Sequence, residues 1–151
     1  TGSGIEITNN VTGVTIKNLT IENFAGSTGN THAGIKGLLS NSNTTIDNVS
    51  VKNNSNSSGI FFSGGSTIEN ITVTNSIIEG HTNGARGLVI WDGFKKNITF
   101  TGNTVTNNNC CGIELQDGTA SAVNISNNTV DIGTGDNGLG INGLRTSIGN
   151  N

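Results

Sequence analysis

The sequence contains no proline and no methionine, and only 11% of its 151 residues are charged and 4% aromatic. Residues that favour helices are few, and no stretch shows the hydrophobic period of roughly 3.6 residues that marks an amphipathic helix. No run approaches the roughly 18 apolar residues that a membrane-spanning helix needs. We therefore expect neither a helical fold nor insertion into a membrane.

Basic residues are also scarce, with 7 Lys and Arg against 10 Asp and Glu and a net charge of -3. Without a basic run, neither nucleic acid nor an anionic membrane surface is an expected partner. The lack of methionine and of a signal peptide predicts a mature, processed product or an excised segment. We expect a secreted or cell-surface protein.

Hydrophobic residues make up 31% of the chain, which is low for a globular core. Disorder is the simple alternative for so polar a chain. The apolar residues, however, recur at fixed offsets from glycines spaced about 25 to 30 residues apart, within the range typical of solenoids. These rung glycines are Gly4, Gly34, Gly59, Gly87, Gly112 and Gly138. A solenoid needs little apolar content because each coil fills only a thin interior.

Two apolar columns follow the rung glycines. The first contains Ile5, Ile35, Ile60, Leu88, Ile113 and Leu139. The second contains Ile7, Phe62, Ile90, Leu115 and Ile141, interrupted by Gly37. Alternation with a period of about two residues predicts strands with one buried face.

Four more columns are predicted in the second half of each coil. The apolar ones are Ile16, Ile46, Ile68, Phe100, Ile125 and Ile148, and Ile21, Val51, Val73, Val105 and Val130. The polar ones are Asn18, Asn48, Asn70, Gly102 and Asn127, and Asn23, Asn53, Asn75 and Asn107. Asn tolerates left-handed backbone, and its amide can hydrogen-bond its copy one coil away. This alignment leaves Ser76 to Arg86 as a long inserted turn.

The glycine-led starts and the returns of the form Ile-x-Asn-x-Thr/Ser-Ile/Val-x-Asn, as at residues 16–23 and 46–53, resemble the repeat of the right-handed, pectate-lyase-like β-helix superfamily. The resemblance implies an all-β, single-stranded, right-handed parallel β-helix of about five and a half coils. We expect one domain over residues 1–151 with no cap at either end. Uncapped strand edges favour association of copies end to end, as a filament or surface array.

Relatives in that superfamily include pectate lyases, polygalacturonases, alginate epimerases, phage tailspikes and adhesins, so the fold alone does not select a function. The Asn-Thr-Asp, Asp-Asp, Gly-His-Gly and Arg-Ile-Lys segments of polygalacturonases are missing, and His81 lies in Gly-His-Thr. The favoured prediction is a non-catalytic extracellular structural or surface protein. The alternative is a carbohydrate-binding or polysaccharide-cleaving module, which as an enzyme would be a polysaccharide lyase or a glycoside hydrolase.

The candidate site for that alternative lies at Asp92 and Asp117, each five residues after its rung glycine and thus one coil apart. Paired carboxylates can cleave a glycosidic bond or hold calcium, the one cofactor that we consider. Trp91 and Gln116 precede them and could contact a sugar. Because both acids stand in Asp-Gly, an ordinary turn is the simpler interpretation.

Phe61 and Val89 are predicted to lie on the outward face and, with Trp91, to form a small exposed apolar patch beside the acids. His32, His81 and Arg86 are predicted to be surface loop residues, and His81 with Glu79 could form a base or metal pair. No zinc-type ligand spacing occurs in the sequence. Thr-x-Thr pieces at residues 72–74, 99–101 and 104–106 suggest ice binding, but the alignment predicts no regular column for them.

Cys110 and Cys111 are the only cysteines. Neighbouring Cα atoms lie about 3.8 Å apart, short of the usual disulfide range. Strand alternation predicts one inward and one outward side chain. Two structural thiols, an interchain bond from the outward cysteine and a vicinal disulfide all stay open.

Asn-x-Ser/Thr triplets are numerous, and each could carry a glycan in a secreted protein. The glycosylation candidates are Asn10, Asn43, Asn53, Asn56, Asn97 and Asn124, while the triplets at Asn18, Asn48, Asn70 and Asn127 fall in the predicted asparagine columns. A chain so rich in Asn, Ser and Thr also produces such triplets by chance.

Overall fold

The computed structural model describes residues 2–26, 32–38, 42–131, 137–141 and 147–148. These residues form strands and turns, and the strands in chain order are β1 (Ile5–Ile7), β2 (Thr15–Glu22), β3 (Ala33–Leu38), β4 (Ser42–Lys52), β5 (Ser58–Ser63), β6 (Thr67–Thr74), β7 (Ile77–Glu79), β8 (Leu88–Trp91), β9 (Phe94–Thr101), β10 (Thr104–Thr106), β11 (Cys111–Gln116), β12 (Ala120–Ser126), β13 (Thr129–Val130), β14 (Asn137–Ile141) and β15 (Ser147–Ile148). Each coil pairs in parallel with the next, so the chain is a stacked all-β solenoid.

The first sheet contains the strands that begin near the rung glycines, in the order β1-β3-β5-β8-β11-β14. The strand pairings match both predicted columns: Ile5, Ile35, Ile60, Leu88, Ile113 and Leu139 stand opposite one another, as do Ile7, Gly37, Phe62, Ile90, Leu115 and Ile141. This part of the sequence prediction is confirmed.

Four of the rung glycines, Gly4, Gly34, Gly59 and Gly87, leave no room for a side chain. A Cβ on Gly59 would lie 2.2 Å from Ile78 Cγ2 and 2.7 Å from the carbonyl oxygen of Gly87 in the next coil. Gly34 and Gly87 meet Val51 and Val105 in the same way. The glycine column therefore lets the first sheet approach the apolar column of the second.

The second sheet corrects the predicted alignment of the third coil. Ile46 pairs with Val73 and Val51 with Ile78, whereas Ile68 pairs with Lys95. The true columns are therefore Ile16, Ile46, Val73, Phe100, Ile125 and Ile148, and Ile21, Val51, Ile78, Val105 and Val130. The predicted insert at residues 76–86 is wrong, because Ile77–Glu79 form the regular strand β7.

Asparagine ladders run along the outside of the solenoid. Asn48 donates to Asn18 Oδ1 at 2.9 Å, while Asn70 donates to Asn43 Oδ1 at 2.8 Å and Asn97 to Asn70 Oδ1 at 2.9 Å. All five have positive φ between 52° and 57°. The predicted amide ladder and left-handed backbone are confirmed, but Asn70 stands with Asn43 rather than with Asn48.

A second kind of ladder is buried and was not predicted. Each of its members directly follows a left-handed residue and accepts a hydrogen bond from the backbone N–H of the preceding coil. In one ladder Asn54, His81 and Asn108 accept from the backbone N–H groups of Phe24, Asn54 and His81. In the other Ser76, Asn103 and Asn128 accept from those of Val49, Ser76 and Asn103. These side chains satisfy backbone donors at the corners, where the sheets are interrupted.

Candidate functional site

The two candidate aspartates lie in stacked turns, one coil apart. Trp91 ends β8 and Gln116 ends β11, and the two residues are Cα partners in the first sheet. Asp92 and Asp117 follow them with φ of 60° and 56°, and the glycine after each also has positive φ. The Asp92 N–H donates to the Gln116 carbonyl at 3.2 Å. Both carboxylates belong to exposed residues. The structure thus brings the predicted pair together and confirms that the residues form turns.

Lys95 lies beneath these turns and was missed from the sequence. The residue is 0% exposed, and its Nζ donates to the carbonyl oxygens of Asp92 at 2.7 Å, Gly93 at 3.3 Å and Asp117. Burial lowers the pKa of Lys95, and the nearby charges of Asp92 and Asp117 oppose that shift. The ammonium group therefore ties the two Asp-Gly turns together through their backbone.

Trp91 is held in place by an aromatic ring and a cation. Its ring meets Phe61 edge-on, with centroids 5.3 Å apart and planes at 80°. The Arg86 guanidinium lies 4.5 Å from the indole centroid. Arg86 Nε also forms a 2.5 Å ion pair with Glu114, and the two side chains are only 17% and 15% exposed. The indole is therefore fixed on the outer face of the first sheet, with part of its surface accessible.

The predicted exposed apolar patch is wrong. Phe61 is 3% exposed and Val89 is 0% exposed, and they pack with Ala33 and the half-buried Trp91. Although these residues do point away from the main core, they form a small second core of their own. Phe61 and Val89 therefore support Trp91 and are not available to a ligand.

Two polar atoms at these strand ends have no hydrogen-bond partner among the residues that the structure describes. They are Trp91 Nε1, a donor, and Gln116 Oε1, an acceptor, both buried at the atomic level. The two residues are Cα partners in adjacent strands, but the burial of these two atoms keeps them from direct contact with a ligand at the surface. We call Trp91, Asp92, Gln116 and Asp117 the aromatic-acidic surface. It can offer the accessible part of a flat indole and two exposed carboxylates to a polyhydroxylated ligand.

His81 is not a surface loop residue, and that prediction is wrong. It is 0% exposed and continues the buried ladder of Asn54 and Asn108. Burial lowers the pKa of His81 from 6.5 to about 4. Glu79 lies in β7 and pairs with Lys52 at 2.8 Å. His32 is half-buried beside β3. Among the described residues, no group of three or more His, Cys, Asp or Glu could hold a metal ion.

Two of the three Thr-x-Thr pieces stand in register, and the third does not. Thr72 stands opposite Thr99 and Thr74 opposite Thr101, in β6 and β9. Thr74 donates its hydroxyl hydrogen to Asp47 at 2.8 Å. Thr104 faces Ile77 and Thr106 faces Glu79, so the three Thr-x-Thr pieces do not form one regular column, as the sequence predicts. The array is a second ordered polar surface, interrupted on one side by the charge of Asp47.

The glycosylation candidates differ in their surroundings. Asn43 and Asn97 use their Nδ2 groups as donors in the outer ladders. Asn10, Asn53 and Asn124 are exposed, and Asn56 is half-buried. Glycan attachment at any of these positions stays a prediction.

The described ranges hold no helix with the length and hydropathy needed to cross a bilayer.

Comparison with known proteins agrees with the coil-by-coil pairing. The family model described as the right-handed β-helix region matches residues 1–130. Neither the curated proteins nor the solved structures gave a match. The matched segment contains every residue of the aromatic-acidic surface and five of the six rung glycines. The chain therefore belongs to the right-handed β-helix family.

Proposed function

We propose that the chain is an extracellular, non-catalytic β-helix module that binds neutral carbohydrate through the aromatic-acidic surface. The observation that carries the proposal is the half-buried indole of Trp91, which Phe61 and Arg86 hold beside the exposed residues Asp92 and Asp117.

A sugar fits these groups because each hydroxyl both donates and accepts. The carboxylates of Asp92 and Asp117 can accept hydrogen bonds from sugar hydroxyls. The apolar face of a pyranose can rest against the accessible part of the indole. Because Phe61 and Arg86 already hold the Trp91 ring in place, the indole loses little conformational freedom when a ligand binds. The net charge of -3 favours a neutral polysaccharide over an acidic one.

Binding without cleavage is the better proposal for three reasons. Asp92 and Asp117 form left-handed turns, and the nearby Lys95 donates its hydrogen bonds to the backbone carbonyls of these turns rather than to a ligand. The nearby arginine, Arg86, is paired with Glu114. The catalytic segments of polygalacturonases are missing from the sequence. A regular stack of coils suits attachment to a long polysaccharide chain.

Affinity electrophoresis in gels that contain neutral polysaccharides tests the proposal. We expect retardation of the wild-type chain, and losses of roughly tenfold in affinity, about 1.4 kcal/mol, for both Trp91→Phe and the double variant Asp92→Asn/Asp117→Asn. The first reduces the aromatic face that a sugar ring contacts, and the second weakens the charge-assisted hydrogen bonds to sugar hydroxyls. Trp91→Phe keeps the aromatic packing against Phe61. Asp131→Asn, on an exposed residue after β13, is the control and should bind like the wild type.

Equal retardation of the wild type and both site variants would reject this surface, and binding to none of the gels would reject the function. Release of reducing ends or unsaturated products from the same polysaccharides, lost in Asp92→Asn/Asp117→Asn, would instead support the enzymatic alternative. End-to-end self-association stays a separate prediction. Electron microscopy of the wild-type chain tests it independently of carbohydrate.

A further inference from the structure

The two cysteine sulfur atoms lie in direct contact. Cys110 Sγ and Cys111 Sγ are 2.6 Å apart. Both are free thiols, and this contact places them within reach of a disulfide bond, whose length is about 2.05 Å. Because the chain has no other cysteine, any intramolecular disulfide must join these two residues.

The neighbouring coil holds the backbone on both sides of this pair. The Cys110 N–H donates to the Ala85 carbonyl at 2.9 Å, and the Cys111 carbonyl accepts from the Gly87 N–H at 2.8 Å. Cys111 begins β11 and pairs with Asn137 in the first sheet. The stacking of the coils therefore fixes the conformation that brings the sulfurs together, and the contact does not depend on a mobile loop.

The two cysteines differ in access. Cys111 is 3% exposed, whereas Cys110 is half-buried. Burial raises the pKa of the Cys111 thiol to about 12, and its contact with Cys110 and the charge of Glu114 add to the effect. Since the thiolate is the reactive form, a small oxidant should meet Cys110 first.

We infer that Cys110 and Cys111 are a redox modification site, which closes into a vicinal disulfide by exchange with a small-molecule disulfide. The Cys110 thiolate attacks one sulfur of the oxidant, breaks its S–S bond and releases one thiolate. Cys111 then loses its proton to solvent, and its sulfur attacks Cys110 Sγ and releases the second thiolate. Two protein thiols lose two electrons in total, and one oxidant disulfide becomes two thiols.

The geometry disfavours the interchain alternative. The outward cysteine predicted for an interchain bond already has a sulfur in contact with it, so an intramolecular attack competes at a high effective concentration. Cys111 is too deeply buried to reach a cysteine of another chain. This proposal is independent of carbohydrate binding, because neither cysteine belongs to the aromatic-acidic surface.

Oxidised glutathione is a suitable probe. The wild-type chain is reduced, desalted, incubated with oxidised glutathione and then treated with iodoacetamide before intact mass measurement. We expect a monomer that has lost two hydrogens, carries no glutathione and takes up no alkyl group. Thiol titration should fall from two thiols to none, and dithiothreitol should restore both.

Single variants test the order of the steps. Cys111→Ser should stop at a stable adduct of one glutathione on Cys110, because the resolving sulfur is gone. Cys110→Ser should keep a free thiol over the same period, because Cys111 is buried. If the wild type keeps two alkylatable thiols, keeps the glutathione adduct or forms covalent dimers on a non-reducing gel, the inference is overturned.

Discussion

The imidazole Nδ1 of His81 accepts a 3.3 Å hydrogen bond from the backbone N–H of Asn54. One coil later, the side-chain oxygen of Asn108 accepts a hydrogen bond in the same way from the backbone N–H of His81. His81 Nε2 is buried without a partner. A histidine thus occupies an asparagine site, and it must stay neutral to keep Nδ1 as an acceptor. The arrangement makes the stability of the solenoid dependent on pH.

Replacing His81 by Asn should remove that dependence. The folded-state pKa is about 4 and the ordinary value is 6.5. Between these values the unfolded chain binds the proton more readily, so the free energy of unfolding is highest above pH 6.5 and falls as the pH drops toward 4. The loss should approach about 3 kcal/mol in the wild type. Urea unfolding of the wild type and His81→Asn at pH 4.5 and 7.5 measures it.

His32→Asn is the matched control, because it removes the other histidine and should leave the acid-dependent loss in place. Carboxylates also titrate in this range, so the informative quantity is the difference between wild type and variant. If His81→Asn loses as much stability as the wild type, the ladder role of His81 is wrong.

Replacing Gly59 by Ala should destabilise the fold strongly. The added methyl would lie 2.2 Å from Ile78 Cγ2 and 2.7 Å from the Gly87 carbonyl oxygen. The carbonyl belongs to the stacked backbone and cannot move aside without breaking strand pairing, so we expect a cost of about 3 kcal/mol or more. Gly2→Ala, with no atom within 4 Å of its added methyl, should be nearly neutral. Equal thermal stability of the two variants would contradict the steric account of the glycine column.

This steric requirement also explains which part of the fold the sequence could predict. Only glycine fits at Gly34, Gly59 and Gly87, so these residues mark the start of the first sheet without ambiguity. In the second sheet, Asn43 and Asn48 occupy two left-handed positions within β4, and each is followed by a similar apolar pattern. The predicted alignment matched Asn70 to Asn48 rather than to Asn43, and every later residue of that coil was displaced.

The same displacement hid the buried polar residues. Because the predicted alignment matched Ile68 to Ile46, it did not place Lys95 opposite Ile68 in an inward-facing column. Without that match, a lysine in a strand is expected to have a solvated side chain. His81 was placed in an insert, although it follows a left-handed glycine, as Asn54 and Asn108 follow left-handed asparagines. A left-handed Asn or Gly followed directly by Asn or His is the sequence pattern that could have identified these buried polar residues. No sequence pattern indicates the contact of Arg86 with Trp91, because it depends on packing across the outer face.

Replacing Lys95 by Met should loosen the turns that carry Asp92 and Asp117. The variant keeps the buried stem but leaves carbonyl oxygens without their charged donor, which should cost about 2 kcal/mol. Lys96 is the control on the same strand, because it points outward and its 3.8 Å ion pair with Glu69 is solvent-exposed. Lys96→Met should cost less than about 1 kcal/mol. Guanidinium unfolding compares the two, and an equal loss would show that Lys95 does not stabilise the turns.

Replacing Ala122 should stabilise the protein, because this alanine stands in a left-handed position. Its φ is 53°. It stands opposite Asn97, at the end of the outer ladder that contains Asn43, Asn70 and Asn97. Left-handed backbone costs an L-residue roughly 1–2 kcal/mol, but glycine and asparagine tolerate it. Ala122→Gly should therefore gain part of that energy, reduced by the greater freedom of glycine in the unfolded chain. Ala122→Asn should gain more, since its amide can also hydrogen-bond the amide of Asn97.

The comparison of these two variants separates backbone strain from the ladder bond. Chemical unfolding should rank Ala122→Asn above Ala122→Gly and both above the wild type, with a gain of about 1 kcal/mol for Asn. Ala120→Asn, two residues earlier in β12, has no positive φ to relieve and should give no such gain. If Ala122→Asn is no more stable than Ala122→Gly, the outer ladder adds nothing beyond its backbone preference. The repeated asparagines would then be explained by their tolerance of left-handed backbone alone.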